Sequence, residues 1–114
     1  MGRLVYGPQE RVIEMDDRAL AHVKLVVVSK LRRNEAFLVA WTVSLSHGSG
    51  RESVWVHPAI PLQFQFNGNR PCTINRLWVE QMSESANRGE LRITEEPENV
   101  STGSFHALVG AAAV

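Results

Sequence analysis

The chain has 114 residues, of which 44% are hydrophobic and 21% charged, and its 12 basic and 12 acidic side chains cancel. This length predicts one domain with one modest core, and the composition is typical neither of a disordered chain nor of a membrane protein. Because the net charge is zero, the chain lacks the general positive field that draws basic proteins onto nucleic acids, so any contact with phosphate groups has to be local. The single cysteine, Cys72, excludes an internal disulfide and a cysteine-rich zinc site.

Two features of the sequence bear on the location of the protein. The first residues lack the basic and long apolar regions of a signal peptide. The longest apolar run, residues 25–28, is far too short to cross a bilayer. We therefore expect a cytoplasmic protein that has no membrane partner.

The N-terminal part of the chain predicts a small hairpin followed by a helix. Residues 4–6 form a short apolar strand that ends at a Gly-Pro turn, and an extended pattern resumes over residues 9–15. The helix is predicted over residues 16–35, with Asp16 or Asp17 as its N-cap and basic residues near its last carbonyl groups.

Apolar residues recur along one face of this helix, at Leu20, Val23, Val27 and Leu31. The β-branched run inside it is also compatible with a strand. The length of the segment and its capping signals favour the helix.

The central part of the chain predicts three strands. Residues 35–45 alternate between two sets of side chains with a period of two, which is the clearest strand signal in the sequence. Residues 47–50 predict a hairpin loop, residues 52–57 the returning strand, and residues 62–66 another half-buried strand. Two prolines interrupt the pairing pattern between the last two strands, because proline donates no backbone hydrogen bond.

A second helix is predicted to end at about Asn87, with Thr73 or Asn75 as its N-cap and Gly89 as a left-handed stop. Its apolar residues recur at a spacing close to one helical turn. A last short strand follows around residues 91–93.

These elements predict an α+β fold in the order β-β-α-β-β-β-α-β, with a mostly antiparallel sheet and both helices packed on one of its faces. Residues 1–97 form this single domain. Residues 98–114 change in composition to Ser, Thr, Gly and Ala, and we expect them to form a flexible C-terminal tail.

No pattern in the sequence supports catalysis or cofactor binding. The four histidines lack the spacing of metal ligands, and no serine or cysteine stands in a known nucleophile motif. We therefore expect no catalytic residue, no metal and no cofactor.

The strongest candidate for a binding surface is the basic end of the first helix, supplemented by one arginine on a later strand. The residues concerned are Lys24, Lys30, Arg32, Arg33 and Arg51. Basic residues also favour the C-terminal end of a helix without any partner, so a purely structural interpretation stays open. Trp55, a large aromatic residue on a predicted strand, is a further candidate for contact with a partner.

Five segments of the chain carry a resemblance to a known family: MGRLVYG at residues 1–7, DRALAH at 17–22, SKLRR at 29–33 followed by Phe37, WVHPAIPL at 55–62 and NRLW at 75–78. Together they resemble a family of short actinobacterial proteins that is classed as a domain of unknown function. The resemblance covers about residues 1–97. Many members of this family bear the name ATP-dependent DNA ligase, which implies a link to DNA.

The residues of this chain do not match the chemistry of that name. A true ligase of this type needs a Lys-x-Asp-Gly motif whose lysine takes the adenylyl group, and neither Lys24 nor Lys30 stands in one. The sequence therefore favours a non-enzymatic binding or accessory module that contacts DNA or an acidic protein surface through its basic residues. Two alternatives stay open, a homo-oligomeric interaction module such as a homodimer and a ligase-related protein without the adenylation motif.

Overall fold

The computed structural model describes residues 1–43 and 50–98, which form two helices and two three-stranded sheets. In chain order the elements are β1 (Gly2–Tyr6), β2 (Arg11–Met15), α1 (Asp17–Arg32), β3 (Phe37–Val43), β4 (Gly50–Val56), β5 (Leu62–Gln65), α2 (Arg76–Asn87) and β6 (Glu90–Arg92). The predicted α+β class and the predicted order of elements are confirmed. Two predicted segments lie outside the described residues. They are the hairpin loop at residues 47–50, except for Gly50, and the tail at residues 98–114, except for Glu98.

The strands divide into two sheets, whereas the sequence predicted one. Sheet A has the order β2-β1-β5 and is antiparallel throughout. Sheet B has the order β4-β3-β6, with β3 antiparallel to β4 and parallel to β6. The prolines after β4 end that sheet, and the carbonyl group of Pro61 accepts a hydrogen bond from Gly7 N at 2.9 Å, which starts the pairing of β5 with β1.

Helix α1 begins and ends where its capping residues predict. The Asp16 carboxylate accepts a hydrogen bond from Ala19 N at 2.6 Å, and Asn34 follows the helix in the left-handed region at φ 61°. Val26 and Val27, from the β-branched run, are both buried. Tertiary packing of this run therefore outweighs its strand propensity, and the helical interpretation is confirmed.

Helix α1 lies so close to sheet A that only glycine fits at the start of β1. A Cβ atom built on Gly2 would stand 2.7 Å from Leu20 Cδ2 and 2.8 Å from Asp17 Oδ1. The absence of a side chain at Gly2 therefore sets the distance between the helix and this end of the sheet.

Helix α2 has Asn75 as its N-cap and Gly89, at φ 104°, just after its C-terminal end. Both features agree with the sequence prediction. Buried side chains from both helices and both sheets form one core, which includes Leu4, Ile13, Leu20, Val23, Val27, Phe37, Val39, Val56, Trp78, Met82 and Leu91.

Candidate functional site

The basic end of α1 contains one lysine that the fold itself uses. Lys30 is only 8% exposed, and its Nζ atom lies 3.0 Å from Glu35 Oε1 and 3.3 Å from Asn87 Oδ1. The same ammonium group stands 5.9 Å from the centre of the Phe37 ring. Lys30 therefore joins the C-terminal ends of the two helices to the start of β3, and its charge already has a partner inside the molecule.

Two arginines of this helix end face solvent. Arg33 is exposed, and its Nη2 atom lies 3.3 Å from Glu35 Oε1. The hydrogen bond to Lys30 and the charge of Arg33 lower the pKa of Glu35. Arg32 is exposed and has no ion pair among the described residues. Lys24 lies about 12 Å earlier along the helix axis, beside the ring of Phe66. The structure thus separates Lys24 from the two arginines.

The other two predicted residues, Arg51 and Trp55, lie on the solvent-facing side of sheet B. They are four residues apart on β4, so both project from the same side of the strand, opposite to the buried Val54 and Val56. Trp55 is 51% exposed and pairs across the strands with Leu38. We call this side of the sheet the sheet B outer face, and its residues are Leu38, Ala40, Thr42, Arg51, Ser53, Trp55, Glu90 and Arg92.

A shallow cleft of about 410 Å³ runs across part of this face and places Arg51 and Arg92 in the same lining. Arg92 Nη2 lies 3.5 Å from Oε2 of Glu90, which also lines the cleft. The carboxylate of Glu52, at the margin of the cleft, is already paired with Arg11 of sheet A. Arg51 is therefore the cation of this lining that has no ion pair among the described residues, and the exposed Trp55 follows Ser53 of the cleft by two residues on the same side of β4.

Arg88, from the end of α2, lies at the same end of sheet B as Trp55. It precedes Gly89, whose carbonyl group accepts a hydrogen bond from Leu38 N at 2.9 Å, and Leu38 is the cross-strand partner of Trp55. Sequence reasoning missed both arginines, because the parallel pairing of β6 with β3 brings Arg92 onto this face, and Arg88 to one end of the sheet, from a distant part of the chain.

A second polar cluster lies at the N-terminal ends of the two helices. Arg18 donates to both carboxylate oxygens of Glu96 and to the carbonyl oxygen of Thr73. The side-chain amide of Asn75 donates to Glu96 and to the carbonyl oxygen of Pro97, both at 2.9 Å. The Arg18 and Asn75 hydrogen bonds lower the pKa of Glu96 to about 2, so this carboxylate is charged at neutral pH.

His22 completes this cluster, and both of its ring nitrogens are engaged. Nδ1 lies 2.6 Å from the carbonyl oxygen of Arg18 and therefore donates, whereas Nε2 accepts from Asn75 N at 2.7 Å. The ring is fully buried and packs against Trp78, with 4.6 Å between ring centres. Burial lowers the pKa of His22. The neutral ring is thus a structural link between the helices and has no free nitrogen for acid–base chemistry.

Two observations limit the kinds of site that the described residues form. Within residues 1–43 and 50–98, no three side chains of His, Cys, Asp or Glu stand close enough to hold a metal ion. None of the helices in that part of the chain has the length and apolar character needed to cross a bilayer.

The fold and this surface define a small α+β protein with a basic, partly aromatic sheet face. Comparison with protein families then gives its membership: a model described as a domain of unknown function (DUF7882) matches residues 1–96. The chain belongs to this family, which confirms the predicted resemblance to a family of unknown function over nearly the predicted range. No curated protein and no solved structure matches the chain.

Proposed function

We propose that this protein is a non-enzymatic binding module that takes a single-stranded nucleic acid on the sheet B outer face. The observation that supports this best is the combination of the half-exposed Trp55 with Arg51 and Arg92 on one sheet face. Aromatic side chains on open sheets stack with unpaired bases, and neighbouring arginines contact the phosphate groups. The link to DNA that the family resemblance implies agrees with this assignment.

The exposed arginines at the helix ends extend the proposed surface. Arg88 lies beside the Trp55 end of the sheet. Arg32 and Arg33 are exposed at the end of α1, and the hydrogen bond from Lys30 to Asn87 joins this helix end to the end of α2. Because the whole molecule is neutral, we expect few phosphate contacts and a shallow salt dependence. Two or three contacts give a slope of about −2 in log K against log salt for a single strand.

The test is a titration of a short fluorescent single-stranded oligonucleotide at low salt, followed by anisotropy and by quenching of tryptophan fluorescence. Trp55→Ala and the double variant Arg51→Gln/Arg92→Gln should each weaken binding by about tenfold or more. Arg3→Gln, a change to an exposed arginine on sheet A, is the matched control and should leave binding unchanged. Absence of binding at low salt, or equal affinity of all variants, would refute the proposal.

Self-association through the same face is the second candidate, since the exposed Trp55 and its neighbour Leu38 form an apolar surface of the kind that a second copy can cover. Light scattering of the purified protein decides between the two. A dimer that Trp55→Ala converts to a monomer would favour self-association over nucleic acid as the use of this face.

A further inference from the structure

A groove lies between the exposed side of α1 and the segment that joins β5 to α2. Its volume is about 370 Å³, within the range of small-molecule sites in proteins. It belongs neither to the sheet B outer face nor to the polar cluster at the helix N-termini. The residues that matter most in its lining are Ala21, Lys24, Leu25, Phe66, Arg70 and Ile74.

The inner part of the groove is apolar and partly open to solvent. Phe66, just after β5, is 38% exposed. Ala21, Leu25 and Ile74 are each partly buried around it. A flat apolar group can therefore pack against the Phe66 ring and contact the three partly buried side chains around it.

Two cations stand in the lining of this apolar surface. Lys24 Nζ lies 5.6 Å from the centre of the Phe66 ring, and Arg70 is exposed on the opposite, loop side of the groove. Among the described residues, no carboxylate lies within ion-pair distance of either.

Asp17 is the carboxylate that the described residues contribute to this lining, and it already has its partners. Its two oxygens accept hydrogen bonds from Asn67 N at 3.0 Å and from Gly68 N at 2.8 Å, and these bonds lower its pKa. Asp17 therefore holds the loop against α1, and the groove keeps two cations that an anionic ligand can satisfy.

From this arrangement we infer that the groove binds a small aromatic carboxylate. The ring of the ligand packs on Phe66, and its carboxylate pairs with Lys24 and with the guanidinium of Arg70, which can bind both oxygens at once. This assignment is independent of the proposed nucleic-acid surface, which lies on the other sheet.

The experiment is an amide NMR titration of the full chain with naphthoate, and with the uncharged naphthamide as the comparison ligand. Naphthoate should shift the resonances of residues 21–25 and 66–74 and bind about tenfold more tightly than naphthamide, since only the acid supplies a charged acceptor. Equal affinities, shifts elsewhere on the protein, or no shifts at millimolar ligand would overturn the inference.

Variants separate the charge contribution from the shape of the groove. Lys24→Gln and Arg70→Gln should each weaken naphthoate binding by about tenfold and leave naphthamide binding unchanged. Ala21→Leu should abolish the binding of both ligands by filling the groove, while Arg3→Gln should bind like the natural protein. The same spectra show whether each variant is folded.

If the resonances of the groove shift with protein concentration alone, a second copy of the chain occupies it, and the ligand assignment is wrong.

Discussion

Glu96 is the residue on which the C-terminal part of the described chain depends. It receives two hydrogen bonds from Arg18 of α1 and one from Asn75, the N-cap of α2. Its side chain is 31% exposed, so water screens this ion pair only in part. A single carboxylate thereby holds the segment after β6 against the beginnings of both helices.

Replacement of Glu96 by Gln should reduce the free energy of unfolding by about 1–2 kcal/mol, because a neutral amide loses the charge-assisted bonds to Arg18. Urea denaturation monitored by circular dichroism measures this change. Glu95→Gln, an exposed neighbour without an ion pair among the described residues, is the control and should alter stability by less than about 0.5 kcal/mol. Equal effects of the two substitutions would show that the Glu96 contacts contribute little.

The pH dependence of stability gives a second measurement on the same residue. The pKa of Glu96 falls from its usual 4.5 to about 2 on folding, so its contribution is complete above pH 4.5 and is lost as the pH falls through about 2. The unfolding free energy of the natural protein should therefore decline over this range. The decline should be clearly shallower in Glu96→Gln, and parallel profiles would contradict the assignment.

His22 should cause a separate decline at higher pH. Its pKa is lowered by burial, so the unfolded chain binds a proton below its usual pKa of 6.5 while the folded protein keeps the ring neutral. Stability is thus complete above about pH 6.5 and falls as the pH decreases toward the folded pKa. Nitrogen-15 NMR of the imidazole checks the premise: at pH 6.5, His22 should be less protonated in the folded protein than in the denatured chain, and its neutral form should carry the proton on Nδ1. Equal or greater protonation of His22 in the folded protein would refute this account.

At the scale of elements, the sequence predicts what local patterns control. The caps of α1 and α2 and the period-two pattern of β3 place these elements within a few residues of their observed bounds. The sequence does not predict which strands the short strands pair with. β5 and β6 have only a few residues each, and their patterns fit either sheet. The division into two sheets depends on contacts between distant segments, which local periodicity does not specify.

The close approach of β1 to α1 leads to a prediction about two glycines. Gly2→Ala should reduce the unfolding free energy by about 1–3 kcal/mol, because the new methyl group overlaps the Leu20 side chain and the Asp17 carboxylate. Gly68→Ala is the matched control, since its Cβ would stand at an ordinary 3.5 Å from the same carboxylate. Thermal unfolding of both variants measures the difference, and an unchanged melting temperature for Gly2→Ala would show that the helix can move away at little cost.

At the scale of the whole molecule, one prediction concerns where the domain ends. Glu96 and Pro97 are the last described residues that bond to the helices. The domain of residues 1–97 stays a prediction from the sequence, and we propose that the residues beyond it are not needed for folding.

Two truncated chains test that boundary. A chain that ends at Glu98 keeps the bonds to Arg18 and Asn75 and should unfold at the same urea concentration as the full chain. A chain that ends at Thr94 loses them and should be less stable by about 2 kcal/mol or more. Destabilisation of the chain that ends at Glu98 would mean that residues 99–114 contribute to the fold.

The candidate surface was only partly predictable from the sequence. Arg51 and Trp55 share a strand, so their common face follows from a period of two. Lys30 looks like an exposed helix-end cation in the sequence, and its burial depends on Glu35 and Asn87, which only the tertiary structure brings to it. Arg92 joins Arg51 through the β3–β6 pairing, which no local pattern indicates.

That parallel pairing also has a kinetic consequence. Val39 and Leu91 are neighbours on paired strands, although more than fifty residues separate them in the chain. Their pairing closes a long loop, so we expect β6 to pair with β3 only after α2 has formed and docked. The hairpin of β1 and β2 needs no such delay. We therefore expect β6 to join late in folding, so that truncation of Leu91 to Ala accelerates unfolding and leaves the refolding rate almost unchanged.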